Sequence, residues 1–259
     1  MKNRITALFR DKPQELLSIY FTAGFPALND TCTILAELEK NGVDMVEIGV
    51  PFSDPLADGP VIQQSSQHAL QNGMSMEMLF RQLSGIRDKV KIPVVLMGYL
   101  NPVYQYGIER FCKHCREVGV DGVILPDLPL EEYKSHFEKH FVHAGLSMIF
   151  LVTPQTSDER IKIIDQAAEG FIYVVSSSST TGNQLGAEEK VLSYFKRIKN
   201  LSLKNPIMIG FGITNKEDFQ SVCKYASGGI IGTQFIKEIQ ASKNGLAETI
   251  AAFVKKFKN

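Results

Sequence analysis

Asp44-Met45-Val46-Glu47-Ile48-Gly49-Val50-Pro51-Phe52-Ser53-Asp54-Pro55-Leu56-Ala57-Asp58-Gly59-Pro60 is a strand, a shaped loop and a helix start in one stretch. Residues 45–50 are apolar without alternation, apart from Glu47. A continuous run of that length suits a strand buried on both faces, as in a parallel sheet. The rest carries Pro51, Pro55, Pro60 and Gly59, which make a shaped loop rather than a slack one. Pro60 fits the first position of a following helix.

Moving outward, the same unit recurs. Short apolar runs lie at 16–21, 45–50, 93–99, 122–125, 148–152, 171–175, 206–210 and 229–232. Helical patterns separate them. Asn29 or Asp30 is expected to cap a helix carrying Ile34, Leu35 and Leu38, with Gly42 ending it. Ser157 or Asp158 is expected to cap one carrying Ile161, Ile164 and Ala168. Leu246, Ile250, Phe253 and Phe257 share a face of the last helix, and lysines close its final turn. Eight strand–helix units in 259 residues predict an α/β fold, a single (β/α)8 TIM barrel spanning 1–259. An open doubly wound sheet fits less well, because no Gly-rich dinucleotide fingerprint follows the first run.

Composition limits the function classes. Apolar residues make up 44% and charged residues 22%, as in an ordinary globular chain. Lys plus Arg equals Asp plus Glu at 28 each, so there is no basic excess for nucleic acid or an anionic membrane. A small anionic ligand, which needs only a local site, is still allowed. No apolar run approaches a membrane span, residues 1–12 carry no signal-peptide core, and Cys32, Cys112, Cys115 and Cys223 do not suggest a disulfide scaffold. These features predict a cytoplasmic protein.

In a barrel of this kind chemistry sits at the C-terminal ends of the strands. Glu47 stands out there. Alternation puts it on one face with Met45 and Gly49, and small Gly49 is expected to leave room at the mouth. A carboxylate in an apolar strand is costly unless paired or useful, and no Lys or Arg lies inside any run to pair with it. Its pKa is expected to rise, suiting it to proton transfer. Asp58 fits helix capping and catalysis equally well, while Asp54 fits a turn before Pro55. Glycines at 210, 212, 228, 229 and 232 follow or end the last two strands, where barrels often bind phosphate on backbone N–H groups. The polar loop 176–183 is expected to act as a lid.

Other chemistries find less support. No Lys or His stands at a strand end, which argues against a Schiff-base aldolase and a His-ligated metal. His136, His140 and His143 read as a solvated helix face. Cys112 and Cys115 fall in mid-helix and read as packing. A divalent metal on Glu47, Asp54, Asp58 and Asp127 is a minor alternative.

The stretch 44–60 resembles the signature of the tryptophan synthase alpha chain family. The similarity continues through Phe21-Thr22-Ala23-Gly24, Met97-Gly98-Tyr99-Leu100-Asn101-Pro102, residues 121–129, Thr181-Gly182, Gly210-Phe211-Gly212-Ile213 and Gly232, covering essentially the whole chain in order. The resemblance implies a TIM barrel with an extra N-terminal helix, here within 1–11. It implies cleavage of indole-3-glycerol phosphate to indole and glyceraldehyde 3-phosphate, with no cofactor and no metal in this chain. It also implies a PLP-dependent beta chain as partner, in an α2β2 assembly that receives the indole.

Residue by residue, Glu47 and Asp58 match the catalytic pair. Tyr20, Thr22, Met97, Tyr99, Asp127, Tyr173, Thr181 and Phe211 match substrate positions. Gly182, Gly212, Gly232 and Thr233 match phosphate positions, and Pro51, Asp54, Asn101 and Pro102 the beta-facing surface. The chain departs from the family at Tyr20, where Phe is more frequent, at Thr233, where Ser is usual, and in the lid at Ser178–Thr180. A stand-alone indole-releasing lyase and a mainly regulatory phosphate-binding subunit are the alternatives; retention of Glu47 and Asp58 argues against the second.

Overall fold

A computed structural model describes residues 3–176, 184–210, 212–243 and 245–258. Eight strands, β1 (Leu16–Thr22), β2 (Met45–Gly49), β3 (Val94–Met97), β4 (Gly122–Ile124), β5 (Ser147–Val152), β6 (Ile172–Val175), β7 (Ile207–Gly210) and β8 (Gly228–Ile231), pair in sequence order and close into a barrel. Every pair is parallel, including β8 back onto β1. The eight runs read from the sequence are these strands, with ends moved by one or two residues. β3 starts after Pro93, which has no N–H to give the ladder. Gly228 and Gly229 belong to β8 rather than to the loop after it. A Cβ on Gly228 would come within 2.0 Å of the Leu16 carbonyl oxygen, so glycine there serves close strand packing.

The helices are α1 (Arg4–Asp11), α2 (Thr31–Lys40), α3 (Pro60–Gln71), α4 (Met76–Leu83), α5 (Leu100–Tyr106), α6 (Ile108–Val118), α7 (Leu130–Glu132), α8 (Glu138–Ala144), α9 (Asp158–Ala167), α10 (Gln184–Asn200), α11 (Lys216–Cys223), α12 (Thr233–Gln240) and α13 (Leu246–Lys258). Ser157 caps α9 through Arg160 N–H, as expected. Asp30 does not cap α2: its carboxylate accepts the Ala27 N–H instead, folding the preceding turn. Ile250, Phe253 and Phe257 bury one face of α13. Cys112 and Cys115 are buried in α6, while His136 is exposed beside Glu132.

Two cores result. The larger lies between the sheet and the helices, and the smaller fills the barrel. α1 closes the N-terminal end: Ile5 and Phe9 join Leu16, Met45, Val95, Ile124 and Phe171 in the inner core. Burying two such side chains contributes roughly 1.5–3 kcal/mol each. Asn3 caps α1 through Ile5 N–H at 2.9 Å, and Arg4 reaches Asp121 at 2.8 Å. With that end plugged by apolar side chains, the C-terminal mouth is left for polar chemistry.

Candidate active site

Glu47 faces the barrel interior and is completely buried. Ser18 of β1 donates to its Oε1 at 3.1 Å, and Oε2 has no partner among the described residues. Burial pushes the Glu47 carboxyl up to about 8, against the opposing pull of the Ser18 hydrogen bond. At neutral pH Glu47 therefore holds a proton while remaining close to giving it up.

Asp58 belongs to the loop after β2. It is not a helix cap: α3 starts behind Gly59 with no side-chain cap. Its Oδ2 accepts the Tyr99 hydroxyl at 3.0 Å. The same hydroxyl accepts the Ala57 N–H at 3.0 Å, and Gln63 Nε2 holds the Asp58 carbonyl at 2.8 Å. Burial raises the Asp58 pKa, with the Tyr99 bond acting the other way.

Tyr20 and Tyr173 stand beside this pair with their hydroxyls over glycines. A Cβ on Gly49 would lie 2.1 Å from the Tyr20 hydroxyl, and one on Gly210 would lie 2.2 Å from that of Tyr173. Each tyrosine leans along its strand onto the glycine of the next strand, two positions beyond its own register partner; Thr22 pairs with Gly49, and Val175 with Gly210. The room expected at Gly49 is thus filled by the Tyr20 phenol. Burial and the neighbouring carboxylates hold both phenols protonated.

A cavity of about 210 Å³ opens at this mouth, lined by Tyr20, Asp58, Met97 and Tyr173. Its wall continues through Gly212, Thr214, Gly232, Thr233 and Lys237, from the segments after β7 and β8. Gly212 has φ +80°, a conformation that side chains resist, and it turns the backbone toward the cavity rim. Glu47 lies deeper, among the inner-core side chains.

Other candidate positions fall elsewhere. Thr22 is buried with its hydroxyl 2.6 Å from that of Ser65, which joins β1 to α3. Asp127 accepts the Leu100 N–H with both oxygens, at 2.9 and 3.1 Å, so it satisfies the start of α5 and does not line the cavity. Thr181, Gly182 and Phe211, with the lid segment 177–183, lie outside the described residues. Pro51 and Asp54, and Asn101 and Pro102, sit on the segments after the adjacent strands β2 and β3. Exposed apolar side chains stand among them: Leu56 at 92% and Tyr104 at 65%. Among the described residues no group of His, Cys, Asp or Glu is placed to hold a metal ion.

Ser18, Thr214 and Lys237 escaped the sequence reading. Ser18 carried a signal, because alternation puts it on one face with Tyr20 and Thr22. Lys237 carried one too, four residues after Thr233 on the same helix face.

The family model for the tryptophan synthase alpha chain matches residues 7–259. A tryptophan synthase alpha chain from Flavobacterium johnsoniae is 56% identical over 243 residues, covering 94% of this chain and 96% of that one. One from Bacteroides thetaiotaomicron is 50% identical over 242 residues, covering 93% and 94%. Among solved structures, a tryptophan synthase alpha chain from Legionella pneumophila superposes with a TM-score of 0.88 at 34% identity, covering 99% of this chain and 96% of that one. An aminoacrylate-bound tryptophan synthase from M. tuberculosis gives 0.85 at 26% identity, covering 98% and 97%.

Proposed function

The chain belongs to the tryptophan synthase alpha chain family, and from that premise we propose that Glu47 and Asp58 are the groups with which it cleaves indole-3-glycerol phosphate to indole and glyceraldehyde 3-phosphate. It is a carbon–carbon lyase of tryptophan biosynthesis. The observation that carries the residue assignment is Glu47: a fully buried carboxyl beneath the cavity, titrating near 8, with one oxygen unpartnered among the described residues.

The reaction is a retro-aldol cleavage. Protonated Glu47 gives its proton to the indole carbon that bears the side chain, which leaves the ring nitrogen iminium-like. Asp58, held as an acceptor by Tyr99, takes a hydrogen bond from the ring N–H and stabilises that charge. Glu47, now a carboxylate, removes the proton of the adjacent side-chain hydroxyl. The carbon–carbon bond breaks, and its electrons return to the ring. Indole and the aldehyde form, and Glu47 is again protonated, so the acid–base cycle closes on one group. The protonated indole is itself the electron sink.

Tyr20, Met97, Tyr99 and Tyr173 shape the indole end in this reading. Gly212, Gly232 and Thr233 receive the phosphate; by the family resemblance Gly182 is a further phosphate position and Thr181 and Phe211 are substrate positions, all three outside the described residues. Thr22 and Asp127 act from behind, by fixing β1 to α3 and α5 to the mouth. The surface formed by Pro51, Asp54, Asn101 and Pro102 docks a beta chain in an α2β2 assembly in the cytoplasm, and PLP belongs to that partner. The exposed Leu56 and Tyr104 support this, since large apolar side chains held in water near a polar rim mark docking surfaces. An indole-release assay with and without a beta chain tests the reading. A large gain in rate is expected; equal rates would favour a stand-alone lyase, and no release in either case would leave a regulatory subunit.

A further inference from the structure

We propose that Lys237 is the counter-charge for the substrate's phosphate, an ammonium on the cavity rim that attracts and retains the dianion and separates phosphate ligands from neutral ones. This deepens the reading above and rests on it, because it takes the phosphate to lie at Gly212, Gly232 and Thr233. α12 begins at Thr233, so Lys237 stands one turn along the same face, and both residues line the cavity.

The charge balance of the cavity carries the argument. Among its described lining residues Lys237 is the one cation and Asp58 the one acid, with Glu47 buried further in. Backbone N–H groups at Gly212 and Gly232 direct hydrogen bonds to an anion but bring no net charge. A phosphate dianion therefore meets the Asp58 carboxylate on the inner side, and a positive group on the outer one offsets that repulsion.

Lys237 is free for that role. It is exposed, and it has no ion-pair partner among the described residues. Two acids on neighbouring segments already have partners of their own. Glu238 is held by Lys256 of α13 at 2.6 Å and also accepts from Gln234 Nε2 at 3.5 Å. Asp218 of α11 accepts the Thr214 N–H and hydroxyl at 2.9 and 2.7 Å. That carboxylate sits just behind Thr214 on the cavity wall, which adds to the negative field that Lys237 offsets. A packing role fits poorly, since the buried face of α12 is made by Phe235, Ile236 and Ile239.

Calorimetric titration of glycerol 3-phosphate and of inorganic phosphate into the full chain, at low and high salt, tests this. The Lys237→Gln variant is expected to bind both anions about five- to tenfold more weakly, with a flatter salt dependence. Lys237→Arg is expected to stay within about twofold of wild type, and in Lys237→Gln the KM for the phosphorylated substrate is expected to rise by more than kcat falls, as for a group that acts chiefly on binding. Indole binding is expected to be unaffected. Wild-type anion affinity and salt dependence in Lys237→Gln would overturn the proposal, as would an equal loss of indole binding. The two readings fail separately: Lys237-dependent anion binding without cleavage would sink the reaction alone, and normal cleavage with Lys237-independent anion binding would sink the inference alone.

Discussion

The Tyr99 hydroxyl bridges Asp58 and the backbone of the loop that carries it, donating to Asp58 Oδ2 and accepting the Ala57 N–H, each at 3.0 Å. One side chain from the end of β3 thereby orients a carboxylate supplied by the segment after β2. Tyr99→Phe keeps the ring, which packs 5.3 Å from Phe52, and removes both bonds. Turnover is expected to fall about tenfold, in line with about 1–1.5 kcal/mol for such a hydrogen bond. Steady-state kinetics checks this, and an unchanged kcat would show that Asp58 needs no such anchor.

Asp58→Asn separates chemistry from folding. Because α3 takes no cap from this side chain and an amide oxygen still accepts the Tyr99 hydroxyl, the thermal midpoint is expected to move by less than about 2 °C. Cleavage is expected to fall about 10²-fold or more, as for loss of a charge-stabilising acceptor. A large drop in the midpoint with full activity would return Asp58 to a structural role.

Glu47→Gln removes the proton carrier while keeping shape. Cleavage is expected to fall by at least about 10²-fold, the lower range for loss of a general acid–base. Glycerol 3-phosphate binding is expected to stay, because the phosphate end is built by other segments. Retained turnover would sink the catalytic assignment.

The same residue sets a pH signature in stability. Its folded pKa is about 8 against an ordinary 4.5, so the folded chain keeps a proton that the unfolded chain loses across that window. Stability from Glu47 is complete below about 4.5, declines by about 1.4 kcal/mol per pH unit, and levels off above about 8. Glu47→Gln abolishes the decline, so urea unfolding at pH 5, 6.5 and 8 should show the variant gaining on wild type as pH rises. A constant gap would mean Glu47 titrates normally.

Gly49→Ala forces a Cβ to within 2.1 Å of the Tyr20 hydroxyl, 2.6 Å of its Cζ and 2.9 Å of its Cε2. It is expected to cost about 1–3 kcal/mol of stability, as overpacking does, and to displace Tyr20 from the cavity wall. Adding Tyr20→Phe removes the closest clash and is expected to recover part of the loss. A double-mutant cycle with no coupling between the two positions would contradict the contact.

The barrel was legible because its signal is local. Each run, from 16–21 to 229–232, is continuous because both faces of its strand are buried, and that pattern survives without knowledge of any partner. Glu47 was legible for the same reason, as a carboxylate in an apolar strand with no cation in any run to pair with it. Asp58 was not. A carboxylate before Gly59-Pro60 looks like a cap until Tyr99, 41 residues away in sequence, is found holding it. Gly49 was read as open space, and Tyr20 fills it, because strand register sets which side chain leans over which glycine. Asp127 looked like a pocket residue and serves the Leu100 N–H. The sequence by itself determined the strand pattern, the closed fold and one catalytic candidate, since burial on both faces leaves a periodic trace in the chain. Only the tertiary structure decided the partners of Asp58, the occupant of the space at Gly49 and the position of Lys237 on the cavity rim. Those are contacts between separate segments, and their distances exist only once the barrel has closed.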